Sequence, residues 1–232
     1  TVTQTSGLAS GSAFPVGVST IQYTAEDECG LTTTCSFTVT VEDNEVPTIS
    51  CAADQTANTD QDLCTANVTV VAPTTTDNCG AQTVTNNFNG TADASGIYPI
   101  GTTTVVWLVN DGNGQTATCS MDITVTDNQA PTANCKTNFT AQLGANGSVT
   151  VTGADINNGS TDNCTADNNL TLAVSPNTFD CSNIGDTVTV TLTVTDTAGL
   201  SDTCTTEVTI ADTLAPTAVC QDITVQLDAT GN

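Results

Sequence analysis

The residues of this chain that could do chemistry are almost all acidic. Asp43, Asp77 and Asp111 form one set, and Asp127, Asp162 and Asp196 form a second, each member 84 or 85 residues after its counterpart. Asn44 and Asn128 follow the first aspartate of each set, and Asp27 holds the position of Asp111 and Asp196 in an earlier copy. Three carboxylates gathered without a basic partner repel one another. A hard cation taking about six to eight oxygen ligands relieves that repulsion, with asparagine and backbone carbonyls completing the shell. The pattern points to Ca2+ held by Asp43, Asn44, Asp77 and Asp111, and again by Asp127, Asn128, Asp162 and Asp196. The alternative is that these residues only shape turns and cap loops, which Asp and Asn do without metal.

Other chemistries are poorly supplied. The chain has no histidine, so Ser–His and Cys–His nucleophile activation is excluded. A carboxylate pair could cleave a glycosidic bond, but Lys136 is the sole basic side chain and aromatic platforms are missing. The expectation is no enzyme and no catalytic residue. With 25 acidic residues and a formal charge of −24, nothing neutralises phosphates, which argues against nucleic acid and against docking on anionic lipid. No apolar run approaches the roughly 20 residues that span a bilayer, so no membrane insertion is expected.

The cysteines show the organisation that must position these acids. Cys35, Cys119 and Cys204 recur at 84 and 85 residues, as do Cys51, Cys135 and Cys220, and Cys79 and Cys164 stand 85 apart. The linkers Asp43-Asn44-Glu45-Val46-Pro47 and Asp127-Asn128-Gln129-Ala130-Pro131 keep the same register. A fixed long period means one folding unit copied in tandem. Residues 1–42 read as the C-terminal part of a repeat, 43–126 and 127–211 as complete repeats, and 212–232 as the start of the next. The chain is read as a window on a longer protein, or as a subunit whose two incomplete ends complement each other between chains.

Eleven cysteines in such a chain indicate a disulfide framework and an extracytoplasmic setting. Cys79 and Cys119 are 40 residues apart, as are Cys164 and Cys204, which predicts one conserved bridge in both repeats. The second bridges are expected as Cys51–Cys64 and Cys135–Cys181.

Helix signals are nearly absent. Thr and Val alternate along 38–41, 67–71, 122–126 and 188–194, the period-2 mark of half-buried strands. The fold class is all-β, with tandem immunoglobulin-like antiparallel sandwiches in an extended array. Repeat 43–126 is read as strand A near 48–57, B near 65–72, C near 82–88, a D/E run over 91–108 with F ending near 110, and G near 116–126. Trp107 and its counterpart Tyr23 are expected in the core. In such a sandwich the start of strand A and the B–C and F–G loops share one end, which is where the aspartates fall.

The chain resembles the hyalin repeat (HYR) family. The resemblance rests on the Asp-rich linker to Pro, on Asp77-Asn78-Cys79, on Phe14-Pro15-Val16-Gly17 and Tyr98-Pro99-Ile100-Gly101, and on Cys35-Ser36-Phe37-Thr38-Val39-Thr40-Val41. Repeat 127–211 departs from it, with Ser182-Asn183-Ile184-Gly185 at the aromatic-Pro turn, and resembles a divergent type common in large bacterial surface proteins. The two linkers also resemble cadherin calcium linkers over a few residues. The family implies an immunoglobulin-like fold and an extracellular, adhesion-related role. The expected function is a stalk or filament segment of a secreted or surface-attached bacterial protein. Its expected partners are neighbouring repeats, other copies in a filament, and surface glycans or proteins. The alternatives are a glycan- or protein-binding module and a spacer within an extracellular hydrolase. Thr187, Thr197 and Thr213 lie in Asp-Thr-aliphatic triplets that resemble bacterial O-glycosylation acceptors.

Overall fold

The structure is a computed structural model that describes residues 1–79 and 82–231. Its compact units are Thr1–Asp60 with Cys64–Thr126, and Gln61–Leu63 with Asp127–Asn232. No helix among the described residues is long and apolar enough to cross a membrane.

The first unit opens with β1 (Val2–Ser6), β2 (Gly17–Glu26) and β3 (Thr32–Val41), an antiparallel sheet in the order β1-β2-β3. The same unit continues with β4 (Thr48–Ser50), β5 (Gln55–Asn58), β6 (Thr65–Val68), β7 (Thr74–Thr76), β8 (Thr83–Asn86), β9 (Gly96–Pro99), β10 (Gly101–Asn110) and β11 (Thr116–Thr126). One sheet has the order β5-β11-β10-β8; the facing layer is built from β4-β7 and β6-β9 pairs. Strand A is split between layers, β4 pairing antiparallel with β7 and β5 running parallel to β11. This is an immunoglobulin-like β-sandwich.

Threonine alternating with Val, Ile or Met explains the packing, because a two-residue period sends every apolar side chain to the same face. Val105, Trp107 and Val109 from β10 and Met121, Ile123 and Val125 from β11 are all buried, and so is Tyr98 from β9. Tyr98 stacks on Phe88 at a centroid distance of 4.3 Å and donates its hydroxyl to the Ala94 carbonyl at 2.6 Å. Tyr98→Phe therefore leaves a buried carbonyl without its donor, and should cost the repeat about 1–3 kcal/mol in denaturant unfolding. Trp107 sits in this core as expected, whereas Tyr23 is only half-buried.

The D/E run expected over 91–108 is two strands in opposite layers. The chain turns between Pro99 and Gly101, where Gly101 has φ +99°. Gly17 and Gly185 hold the equivalent place at φ +109° and +85°. A side chain with a Cβ is strained in that conformation, which accounts for a glycine at the same point of each repeat.

The second unit repeats the plan with β12 (Asn138–Gln142), β13 (Ser148–Thr150), β14 (Thr171–Ser175), β15 (Thr178–Asp180), β16 (Thr187–Thr195) and β17 (Ser201–Ala211). Its sheets are β12-β17-β16-β14 and β13-β15. Leu192 replaces Trp107 opposite the matching cysteine, and a one-turn helix, Gly153–Ile156, drops Ile156 into the core.

The disulfides differ from the sequence expectation. Cys51 bonds to Cys119 and Cys135 to Cys204, each with a Cα separation of 5.7 Å. The expected Cys79–Cys119, Cys164–Cys204, Cys51–Cys64 and Cys135–Cys181 bridges are all replaced. Cys119 and Cys204 lie mid-strand and pack against the core, where strand A brings Cys51 and Cys135 alongside. Cys79 stands in the B–C loop at the acidic end and is an exposed thiol, as is Cys181. Cys64 and Cys164 are disulfide-bonded.

Candidate metal centres

Asp43 enters from the linker before β4, Asp77 from the B–C loop after β7, and Asp111 from the F–G loop directly after β10. One carboxylate oxygen of each lies within 4.8 Å of the others. Asp127, Asp162 and Asp196 converge in the same way in the second unit. Two unit charges at that separation repel by roughly 3 kcal/mol even at an effective dielectric of about 20.

The carboxylates are held rigidly. Asp111 is 2% exposed, and its Oδ1 accepts backbone N–H bonds from Asn113, Gly114 and Gln115 at 2.8, 3.0 and 3.1 Å. Its Oδ2 is buried with no hydrogen-bond donor. Asp77 repeats the division: Oδ2 accepts from Cys79 N at 3.0 Å, and buried Oδ1 has no donor. Asp43 Oδ1 accepts from Glu45 N at 3.1 Å, and its Oδ2 from Asn113 Nδ2 at 3.0 Å. In the second set, Asp196 Oδ1 accepts from Leu200 N at 2.8 Å, and Asp162 Oδ2 from Cys164 N and Thr165 N at 2.8 and 2.6 Å. Asp196 Oδ2 and Asp162 Oδ1 are buried without donors. Asp127 Oδ1 accepts from Gln129 N at 3.2 Å.

In both sets, then, one oxygen of the B–C and F–G loop aspartates orients the loop and the other is kept out of water with nothing donating to it. A buried acceptor left unmatched costs about 1–3 kcal/mol, more when charged. The donor set is all oxygen and anionic, which suits a hard divalent cation of the calcium type. The sole lysine is elsewhere: Lys136 Nζ donates to the Asp155 carbonyl and lies 5.8 Å above the Phe139 ring.

Asn44 and Asn128, which follow the first aspartate of each set, are exposed. Gln115 was not foreseen. Its Nε2 donates to the Asp43 carbonyl, which holds the side chain against the first set, and its Oε1 is buried without a donor. The matching residue of the second set is Leu200, whose side chain has no oxygen. At the edge of the first set, desolvation and then the charges of Asp43, Asp77 and Glu45 raise the Cys79 thiol above its ordinary pKa. Thr187, Thr197 and Thr213 are all exposed, and Thr197 shares a hydroxyl contact of 2.9 Å with Thr165.

The HYR domain family matches residues 1–41 and 42–125. The chain belongs to the HYR domain family. Hyalin from Strongylocentrotus purpuratus is 35% identical over 141 residues, covering 58% of this chain and 12% of that protein. Hyalin from Lytechinus variegatus is 30% identical over 146 residues, covering 59% of this chain and 27% of that protein. The sushi, von Willebrand factor type A, EGF and pentraxin domain-containing protein 1 of Rattus norvegicus is 33% identical over 94 residues, 40% of this chain and 3% of that protein. The matches thus span a small part of each relative's length. All three are animal proteins, and the bacterial setting expected from the divergent repeat finds no support among them. Among solved structures, mouse cadherin-23 EC22-24 is similar at TM-score 0.41 and 13% identity, covering 84% of this chain and 74% of that one.

Proposed function

We propose that this chain is a structural segment of an extracellular, adhesion-type protein, a stalk or filament of HYR-type repeats whose loop ends are braced by calcium. The supporting observation is the pair of equivalent aspartate triads, each with a buried F–G carboxylate oxygen that no donor meets. Repeats 43–126 and 127–211 are the units of the array, and each bound ion ties the linker aspartate to the B–C and F–G loops of its repeat. Calcium thereby fixes the direction in which the linker enters. Thr187, Thr197 and Thr213 are the proposed O-glycan acceptors, and neighbouring repeats and other copies the proposed partners.

Small-angle scattering of the intact chain in millimolar calcium and in excess chelator tests the reading. A rod-like profile in calcium that becomes flexible in chelator, with a lower melting temperature, is the expected result. Identical profiles and identical melting curves in the two buffers would overturn it.

A further inference from the structure

Strand β10 breaks the alternation that its counterpart keeps. Val105-Val106-Trp107-Leu108-Val109 is an unbroken apolar run, whereas β16 alternates threonine with Val188, Val190, Leu192 and Val194. Val105, Trp107 and Val109 are buried in the core. The two-residue period then puts Val106 and Leu108 on the outer face, where they are 37% and 40% exposed. The residues 85 further on are Thr191 and Thr193, and those 84 before are Gln22 and Thr24. An unbroken apolar run is what a strand covered on both faces carries. In β10 the inner face is covered and the outer one is open.

The surroundings of this pair say what can cover it. Register places Ser120 beside Val106, and Thr118 and Thr85 on either side of Leu108. Threonine offers a methyl group as well as a hydroxyl, so such a face can pack without burying charge. Of the 25 acidic residues of the chain, one lies on it: Asp122, opposite Thr104, whose hydroxyl donates to it at 2.7 Å. Asp54 closes the sheet edge, accepting from the Asp122 N–H at 2.9 Å. The face has no basic group for an anion and no ring on which a sugar could stack. A cationic partner would find one carboxylate here and 24 elsewhere. Two copies of a chain with formal charge −24 repel each other, and an almost uncharged face is where they meet at least cost.

We propose that the outer face of β5-β11-β10-β8 is a self-association surface. Two copies pack there sheet on sheet, with Val106 and Leu108 of one against Val106 and Leu108 of the other. The same patch serves both copies, so the contact is isologous and closes as a dimer. Packed sheets stand about 10 Å apart, a gap that interdigitating valine, leucine and threonine side chains fill. With strands about 4.8 Å apart and about 3.4 Å per residue, the face measures roughly 450 Å². A pair buries roughly 900 Å², within the class of weak contacts below about 1,200 Å². The association is therefore reversible and concentration-dependent. It uses the flank of the sandwich and not the loop end that carries the aspartates, so it stands apart from the cation reading.

The test is sedimentation equilibrium of the whole 232-residue chain with its free thiols alkylated, so that no disulfide links copies. A monomer–dimer equilibrium is expected, and it should tighten with added salt, which screens the repulsion between like-charged chains. Val106→Thr with Leu108→Thr copies the residues of the equivalent strand. It should weaken the dimer about tenfold or more, while Trp107 fluorescence shows an unchanged melting curve. Asp122→Asn removes the one charge of the face and should tighten the dimer, which decides the matter should the double variant melt early. Ile97→Thr, at a 67% exposed apolar residue of the facing layer, should change nothing. Monomers alone at millimolar concentration in high salt, a dimer of undiminished strength in the double variant, or one weakened as much by Ile97→Thr would each overturn the proposal. So would a different protein from the native source that occupies this face in place of a second copy.

Discussion

Replacing Cys51 and Cys119 together by alanine should lower the melting temperature of repeat 43–126 by roughly 20 °C, while Cys79→Ala should leave it within about 2 °C. The bridge closes a loop of sequence separation 68. Restricting a loop of that length in the unfolded chain is worth about 4 kcal/mol, and each kcal/mol moves a domain of this size by about 4–8 °C. The readout can be confined to the repeat in question. Trp107 is the sole tryptophan and is fully buried in the core that Cys119 packs against, so its fluorescence reports this repeat alone. The double variant avoids leaving an orphan thiol in that core. A large loss on Cys79→Ala with no loss in the double variant would restore the Cys79–Cys119 pairing that the 40-residue spacing suggests.

That pairing shows where sequence reasoning stops. Chain-entropy costs for loops of about 40 and about 70 residues differ by only roughly half a kcal/mol, so spacing cannot choose between Cys79 and Cys51 as the partner of Cys119. The choice is made by topology: strand A splits between the two layers and carries Cys51 past the middle of β11. Recurrence did hold a usable signal, because the Cys51 and Cys119 positions recur in step along the whole chain. The strands were legible because threonine alternating with valine satisfies one period only. The D/E run hid a change of layer, since Tyr98-Pro99-Ile100-Gly101 keeps the alternation running through a turn. The aspartates converge because each sits at a fixed loop boundary of the sandwich. Asn44 and Asn128 are expected beside Asp43 and Asp127 because asparagine supplies a neutral oxygen that can complete such a shell. Gln115 was missed because its position is a leucine in the other copies, Leu31 and Leu200.

Asp111→Asn should change the sign of its effect with calcium. Asparagine keeps an Oδ1 for the backbone donors of Asn113, Gly114 and Gln115, so the F–G loop retains its shape. What it removes is the buried, donorless Oδ2 and one of three converging charges. In chelator that is a relief of repulsion, and the variant should melt higher than the parent by roughly 5 °C, about 1 kcal/mol. In calcium the parent gains about 2.7 kcal/mol when the ion stands at about 100 times its dissociation constant. The variant should lose most of that gain and melt lower than the parent. Glu28→Gln, which removes a charge outside both sets, should show no such crossing. Gln115→Leu copies the residue found in the second set and should weaken calcium binding several-fold while leaving the chelator curve unchanged. Asp196→Asn should repeat the crossing in the second unit, read by calorimetry because that unit has no tryptophan. Destabilisation of Asp111→Asn in both buffers alike would mean that the carboxylate serves the loop and not an ion, and the cation reading of both triads would fall with it.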